Sequence, residues 1–217
     1  LDFGSFVSPK AIPQMADTAE VLAGLNWAGS PTKLLAIVAN YRGAEEAVGF
    51  EAVRYLGFPF SVSETFQLRN TKKTSEGSFG TVEEMLELGA VRQKELVVYL
   101  SMGFGNPYGE PWNEEIVFQW ASALARLGVR VLSVADTVGV ATPEQVFSVA
   151  SYLIRELPQC TIGVHLHSTA RNRGAKIDAA LEAGVLRFDG ALKGIGGCPM
   201  AGDELVGNMD TEWMIGH

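Results

Sequence analysis

The chain has 217 residues, 47% of them hydrophobic and 19% charged, a globular balance that is enough for one sizeable core. Its net charge of −8 argues against nonspecific nucleic-acid binding, which needs a basic footprint, but leaves room for a phosphorylated ligand held by a few local cations. No apolar run approaches the ~20 residues of a membrane helix, and the start LDFGSFVSPK lacks the basic end and apolar stretch of a signal peptide.

An apolar strand is already under way at the first residue, so the sequence reads as though N-terminal residues are missing. Short apolar runs then alternate with amphipathic stretches. Leu1–Phe6 reads as a strand, Asp17–Leu25 as a helix, Lys33–Ala39 as a strand and Ala44–Tyr55 as a helix. Pro59–Ser63 is the third strand, Thr81–Arg92 a helix, and Glu95–Met102 the fourth strand. A helix follows from about Asn113 to Leu127, with Ile116, Trp120, Leu124 and Leu127 on one face and Gly128 at its end. Val129–Asp136 is the fifth strand. The clearest helix begins at Thr142, with Pro143 at its first position and Gln145 set to close a capping box. Its apolar stripe is Val146, Val149, Ala150, Leu153, Ile154 and Leu157, and it stops before Pro158. Thr161–His167, a helix at Lys176–Ala183 and Arg187–Leu192 complete the pattern.

A strand–helix unit of about 30 residues, repeated along the chain, means α/β with a parallel sheet. A doubly wound sheet would suit this order, but no G-x-G-x-x-G turn follows an early strand. Seven steps beginning mid-strand predict an eight-stranded barrel, a TIM (β/α)8 fold whose first unit is absent, forming one domain over residues 1–217.

Barrel chemistry sits at the carboxyl ends of the strands, and polar residues collect there. Asp2 and Ser5 lie on the first strand, Asn70 beyond the third, Tyr99 on the fourth, and Ser133 and Asp136 on the fifth. The sixth ends in GVHLHST. Strand alternation turns His165 and His167 to one side and Leu166 to the other. After the seventh comes GIGGCPMAGDELVGN, whose glycines 194, 196 and 197 let a lid bring Cys198 toward a pocket, with Asn208 ten residues on. Each residue also has a plain structural reading. Asp136 could cap a turn, Tyr99 could be core with its hydroxyl satisfied, Cys198 could be a small buried hydrophobe, and Asn208 could be a turn residue. Convergence on one mouth is what favours function. Two imidazoles and an amide oxygen suit Mg²⁺ or Mn²⁺, with zinc as an alternative, and a carboxylate should join them. Cys160 and Cys198 make no disulfide framework, which favours a reducing, intracellular setting.

Taken together, SFVSPKAIPQM, SVSETF, ADTVGVATPE, VHLHST and GIGGCPMA…GN resemble the 3-hydroxy-3-methylglutaryl-CoA lyases, of the metal-dependent lyase and Claisen-condensation barrel superfamily. The match runs through nearly the whole chain, and GGCP before a GN dipeptide is its most specific element. The resemblance implies cleavage of 3-hydroxy-3-methylglutaryl-CoA to acetyl-CoA and acetoacetate. A base takes the tertiary hydroxyl proton, a carbon–carbon bond breaks, and the acetyl-CoA enolate forms. It places metal ligands at His165, His167 and Asn208, and the acid that protonates the carbanion at Cys198. It puts catalytic carboxylates at Asp2 and Asp136, and substrate contacts at Ser5, Asn70, Tyr99 and Ser133. Relatives carry glutamate where Asp2 stands, and many carry aspartate where Ser168 stands. Their first strand also bears an Arg-Asp pair that this sequence lacks. The implied partner is an acyl-CoA, with homodimers common among relatives. Leucine breakdown and ketone-body formation, in the cytoplasm or mitochondrial matrix, are both compatible. The rivals are a synthase of the same superfamily, such as isopropylmalate or homocitrate synthase, and a non-catalytic acyl-CoA-binding barrel. Synthases typically follow the histidine pair with Asn-Asp and lack the GGCP loop.

Overall fold

A computed structural model describes residues 1–197 and 206–217. Seven strands run parallel in sequence order: β1 (Asp2–Ser5), β2 (Leu34–Ile37), β3 (Val53–Ser61), β4 (Glu95–Ser101), β5 (Val131–Ala135), β6 (Thr161–His165) and β7 (Arg187–Asp189). The sheet curls so that residues from every strand, Asp2 on β1 through Asp189 on β7, line one internal cavity of about 1410 Å³. Among the described residues β1 pairs only with β2 and β7 only with β6. These are seven staves of an α/β barrel, open between its first and last strands, as the repeat of strand–helix units predicts.

The strand pleat divides the side chains cleanly. Leu56, Phe58 and Phe60 of β3, Leu96, Val98 and Leu100 of β4, and Ile162 and Val164 of β6 point outward and are buried. Covering them are α1 (Thr18–Gly24), α2 (Tyr41–Ala47), α3 (Glu64–Thr71), α4 (Ser75–Arg92), α5 (Glu114–Leu127), α6 (Pro143–Glu156) and α7 (Arg173–Glu182); α8 (Thr211–Gly216) follows β7. Residues of the opposite parity face the cavity.

Side-chain caps set many helix starts. Asn40, Ser63, Thr74 and Asn113 each accept a hydrogen bond from the backbone N–H three residues on. The capping box of Thr142 and Gln145 forms as its sequence predicts, and α6 buries Val146, Val149, Ala150 and Leu153. On α5 the buried stripe is Val117, Ala121, Leu124 and Ala125, sharing only Leu124 with the expected face, while Trp120 packs on Phe60 at a tilt of 57° with ring centroids 5.0 Å apart.

The largest departure from expectation lies at residues 44–63. The helix expected to reach Tyr55 ends at Ala47, and β3 starts at Val53 rather than Pro59. Val53, Leu56, Phe58 and Phe60 read ambiguously by period because both faces of this strand are occupied. The strand expected from Pro59 is the second half of β3; Pro59 is tolerated within it because β2 pairs with β3 only as far as Gly57. Helix α3, over residues 64–71, had no counterpart in the sequence reading; it is short, polar and set by its Ser63 cap. No helix among the described residues is long and apolar enough to cross a membrane.

Helix α2 enters against the end of β1 so closely that a Cβ at Gly43 would overlap the carbonyl oxygen of Phe6. Only hydrogen fits there, and the obstacle is backbone, which cannot rotate away. Gly43→Ala therefore lowers unfolding free energy by about 3 kcal/mol, an overpacking cost, as read from urea denaturation. A change below about 0.5 kcal/mol would mean that α2 shifts freely on the sheet.

Candidate functional site

The polar residues gather where β4, β5, β6 and β7 face the cavity. Tyr99, Ser133, Gly163 and Arg187 lie side by side in register across these strands. The two small residues leave room for the two large ones: a Cβ on Gly163 would crowd the Arg187 side chain and carbonyl. One layer up, His165 pairs in register with Asp189. The His165 ring meets Tyr99 edge to face, with centroids 5.9 Å apart.

Asp189 is the electrostatic centre of this wall. Its Oδ2 accepts hydrogen bonds from Ser133 Oγ at 2.7 Å and Arg187 Nη1 at 3.2 Å, and lies 3.7 Å from His165 Nδ1. Burial would raise its carboxyl, but His165, Arg187 and Ser133 outweigh burial and hold it below the usual carboxylate range. The same neighbourhood pushes the Tyr99 phenol up, mainly through desolvation and secondly through Asp189. His165 Nδ1 is buried without a hydrogen-bond partner, since 3.7 Å is beyond bonding reach. Asp2 is exposed as a residue, but its carboxyl faces the cavity wall, where desolvation and, secondly, the charge of Asp189 push it up to about 6.

His167 stands just past the end of β6. Leu166 turns outward into the core, so both imidazoles face inward, with ring centroids 5.5 Å apart. Burial holds the His167 imidazole below its ordinary value, hence neutral. Its Nδ1–H donates to the Val206 carbonyl at 2.9 Å, which leaves the Nε2 lone pair free. Residues 206–209 run antiparallel to 166–168: Ser168 N–H donates to Gly207 O at 2.9 Å and Met209 N–H to Leu166 O at 3.2 Å. That ribbon brings Asn208 opposite His167. The Asn208 amide nitrogen donates to Ile195 O at 2.9 Å, leaving its oxygen available.

Two imidazole nitrogens and a carboxamide oxygen, each with its other polar atom tied down or unpaired, form a donor set that suits a hard divalent cation. Among the described residues no group of three or more His, Cys, Asp or Glu side chains is placed to hold a metal, so the set depends on Asn208.

A family model described as HMGL-like matches residues 10–216. The chain belongs to the HMGL-like family. By sequence it is 34% identical to the hydroxymethylglutaryl-CoA lyase YngG of Bacillus subtilis over 99% of this chain and 71% of that protein. It is 31% identical to the (R)-citramalyl-CoA lyase of Chloroflexus aurantiacus over 99% of this chain and 70% of that protein. A solved HMG-CoA lyase of Acinetobacter baumannii, in complex with coenzyme A and 3-methylmalate, superposes with a TM-score of 0.90 at 33% identity, covering 99% of this chain and 69% of that one. The chain spans between 62% and 71% of the length of the first curated relatives it matches.

Against this HMGL-like frame the expected site residues divide. Asp2, Asn70, Tyr99, His165, His167 and Asn208 all line the cavity of about 1410 Å³. Ser133 joins it through Asp189. Ser5 does not: its Oγ donates to the Ile37 carbonyl, and it lines a separate cavity of about 280 Å³ beside β1. Asp136 does not either. It follows β5 with outward parity, is buried on the helix side, and pairs with Lys176 at 2.6 Å. Cys198 lies outside the described residues. The sequence reading missed Arg187 and Asp189, although R-F-D on β7 repeats the alternation that gave the histidine pair. It also missed Lys176.

Asp2 supplies a pH test. Unfolded, its carboxyl titrates near 3.8; folded, near 6, so the folded chain binds that proton more tightly. The group's favourable contribution to stability is complete below about pH 4 and is lost as pH rises through about 6. Asp2→Asn therefore leaves the urea midpoint little changed at about pH 4 and raises it at about pH 8, by a modest amount because the carboxylate opens onto the cavity. An equal effect at both pH values would place that carboxylate in bulk-like water.

Proposed function

We propose that this chain carries the site of a divalent-metal-dependent carbon–carbon lyase acting on 3-hydroxy-3-methylglutaryl-CoA to give acetyl-CoA and acetoacetate. The observation that carries this reading is the convergence of His165, His167 and Asn208 on one cavity wall, each with a donor atom left free. The HMGL-like match and relatives named as acyl-CoA lyases favour cleavage over condensation. The coenzyme A and 3-methylmalate of the Acinetobacter structure support an acyl-CoA carrying a short, branched, oxygen-rich acid.

His165, His167 and Asn208 would hold Mg²⁺ or Mn²⁺. When bound, such an ion supplies Lewis-acid polarisation of the substrate's hydroxyl and a neighbouring oxygen. The chain's own residues do the rest. Val206 and Ile195 orient two of the ligands through their carbonyls. Asp2, with a carboxyl titrating near 6 on the cavity wall, is matched to taking the hydroxyl proton near neutral pH. Loss of that proton lets the C–O pair become a ketone as the adjacent carbon–carbon bond breaks, releasing acetoacetate. The electron pair of that bond remains on the acetyl-CoA fragment, which Cys198 then protonates. Lys193, Gly194 and Gly196, in the segment leading to Cys198, have left-handed backbone with φ of +55°, +66° and +92°. That curvature turns the chain back across the cavity mouth toward Asn208. Tyr99 and Asn70 line the same cavity and would contact the substrate's acyl part, and Ser133 and Arg187 hydrogen-bond Asp189. Asp136 acts from behind the strands and not on substrate.

Incubation with Mn²⁺ and the acyl-CoA, with acetoacetate and acetyl-CoA measured separately, tests the reading. Metal-dependent release of both in equal amounts is expected. His167→Ala lowers Mn²⁺ affinity and turnover together; full turnover by this variant would sink the ligand assignment. Cys198→Ser keeps Mn²⁺ affinity and depresses turnover by ~10²-fold or more, as for loss of a general acid. Tight acyl-CoA and Mn²⁺ binding with no cleavage would support the binding-barrel rival.

A further inference from the structure

Lys176 is wholly buried, one of the largest side chains in the described residues with no exposure. Helix α7 turns it inward beside Ile177 and Ala180. Its ammonium has three acceptors: Asp136 Oδ2 at 2.6 Å, the His167 carbonyl at 2.8 Å and the Gly139 carbonyl at 3.4 Å. Three N–H donors therefore meet three oxygens, drawn from the end of β5, the loop before α6 and the residue just beyond β6. The other Asp136 oxygen accepts from Ala141 N–H at 3.1 Å, which fixes the same loop.

The position of the His167 carbonyl explains why a charge is there. The β5–β6 ladder ends with Ala135 opposite His165, and Asp136 N–H donates to His165 O. Beyond that point β5 has turned away, so the His167 carbonyl has no strand partner on that side. The Lys176 ammonium takes the place of the missing ladder bond. Burying a charge pair rarely stabilises a fold more than apolar side chains of the same volume would. Its gain here is geometric: a fixed hydrogen bond on the backbone of one cavity residue.

We propose that Lys176 is a positioning residue that holds the His167 backbone so that its imidazole is preorganised for a divalent cation. Lys176 grips the residue by its carbonyl from the helix side, while Val206 grips the ring from the mouth side. The inference rests on the ligand assignment proposed above.

The test uses Mn²⁺ binding to the full-length protein by calorimetry, without substrate, alongside urea denaturation. In K176M/D136N both charges of the pair are gone, the stem volume is kept, and an oxygen remains for Ala141. Its Mn²⁺ affinity falls by about 10–100-fold, the range for loss of a group that orients a metal ligand, in protein that is still folded. D136N alone removes the counter-charge but leaves the Lys176 amine an N–H for the His167 carbonyl, so its Mn²⁺ affinity stays within about threefold of wild type. A folded double variant that binds Mn²⁺ like wild type overturns the proposal. Should the double variant fail to fold, D136N decides: an affinity loss of about tenfold or more, following its stability loss, assigns the pair to stability alone and overturns the proposal. A wild-type protein that binds no Mn²⁺ overturns the ligand assignment itself, an outcome distinct from wild-type binding that the double variant retains.

Discussion

The pleat of β6 sends Ile162, Val164 and Leu166 into the layer beneath the helices and Gly163, His165 and His167 into the cavity. Everything at the site depends on that division. A register slip of one residue would bury two imidazoles among apolar side chains and turn three aliphatic ones toward water. The outward residues are therefore what fix the inward ones. Leu166 lies between the two histidines in sequence, and its burial in the core leaves them no choice of face.

The interior that results is unusual for a parallel barrel. Such interiors are commonly filled by layers of branched aliphatic residues. Here β2 keeps that character, with Leu35 and Ile37, while β1 brings Asp2 and β4 to β7 carry Tyr99, Ser133, His165, Arg187 and Asp189. Ser133 and Gly163 create the space, and Arg187 and Tyr99 fill it. Charges in so enclosed a place persist only when paired, and Asp189 serves as common acceptor for Ser133 and Arg187 with His165 close by. Asp2 has no guanidinium beside it; the amino terminus and His165 offset desolvation only in part, and its carboxyl is driven upward.

Much of this was legible in the sequence, and what was not has identifiable causes. Alternating strand and helix patterns gave the parallel sheet, and the Thr142 signature gave the start of α6, because caps and periodicity are local. The His-x-His pair was legible for the same reason: once its segment is a strand, both side chains must share a face. The start of β3 was misread because Val53 to Tyr55 continue the preceding helical pattern without a turn signal, so period alone did not separate them from the helix. Asp136 was misplaced because the turn after β5 decides its direction, and the sequence does not say whether a residue one step past a strand faces cavity or helices. Lys176 could not be found from its own neighbourhood. A lysine on a short, weakly amphipathic helix reads as solvated, and only the partners of its ammonium, 37 and 40 residues back at Gly139 and Asp136, make burial tolerable.

Those partners also fix the strand ends that carry the site. The ladder between β5 and β6 stops at His165. Beyond it, polar links set across the mouth hold the backbone. Lys176 ties the ends of β5 and β6 from outside. The 206–209 ribbon ties His167 and Ser168 from above, and Met209 and Thr211 join it to Ala191 just past β7. Each link satisfies a backbone group that the truncated ladders leave exposed, so the requirement that buried polar atoms be paired is met by the contacts that fix the histidines. The left-handed turns of the neighbouring 193–196 segment place the Ile195 carbonyl on the Asn208 amide, so the same economy extends to the third ligand-bearing residue.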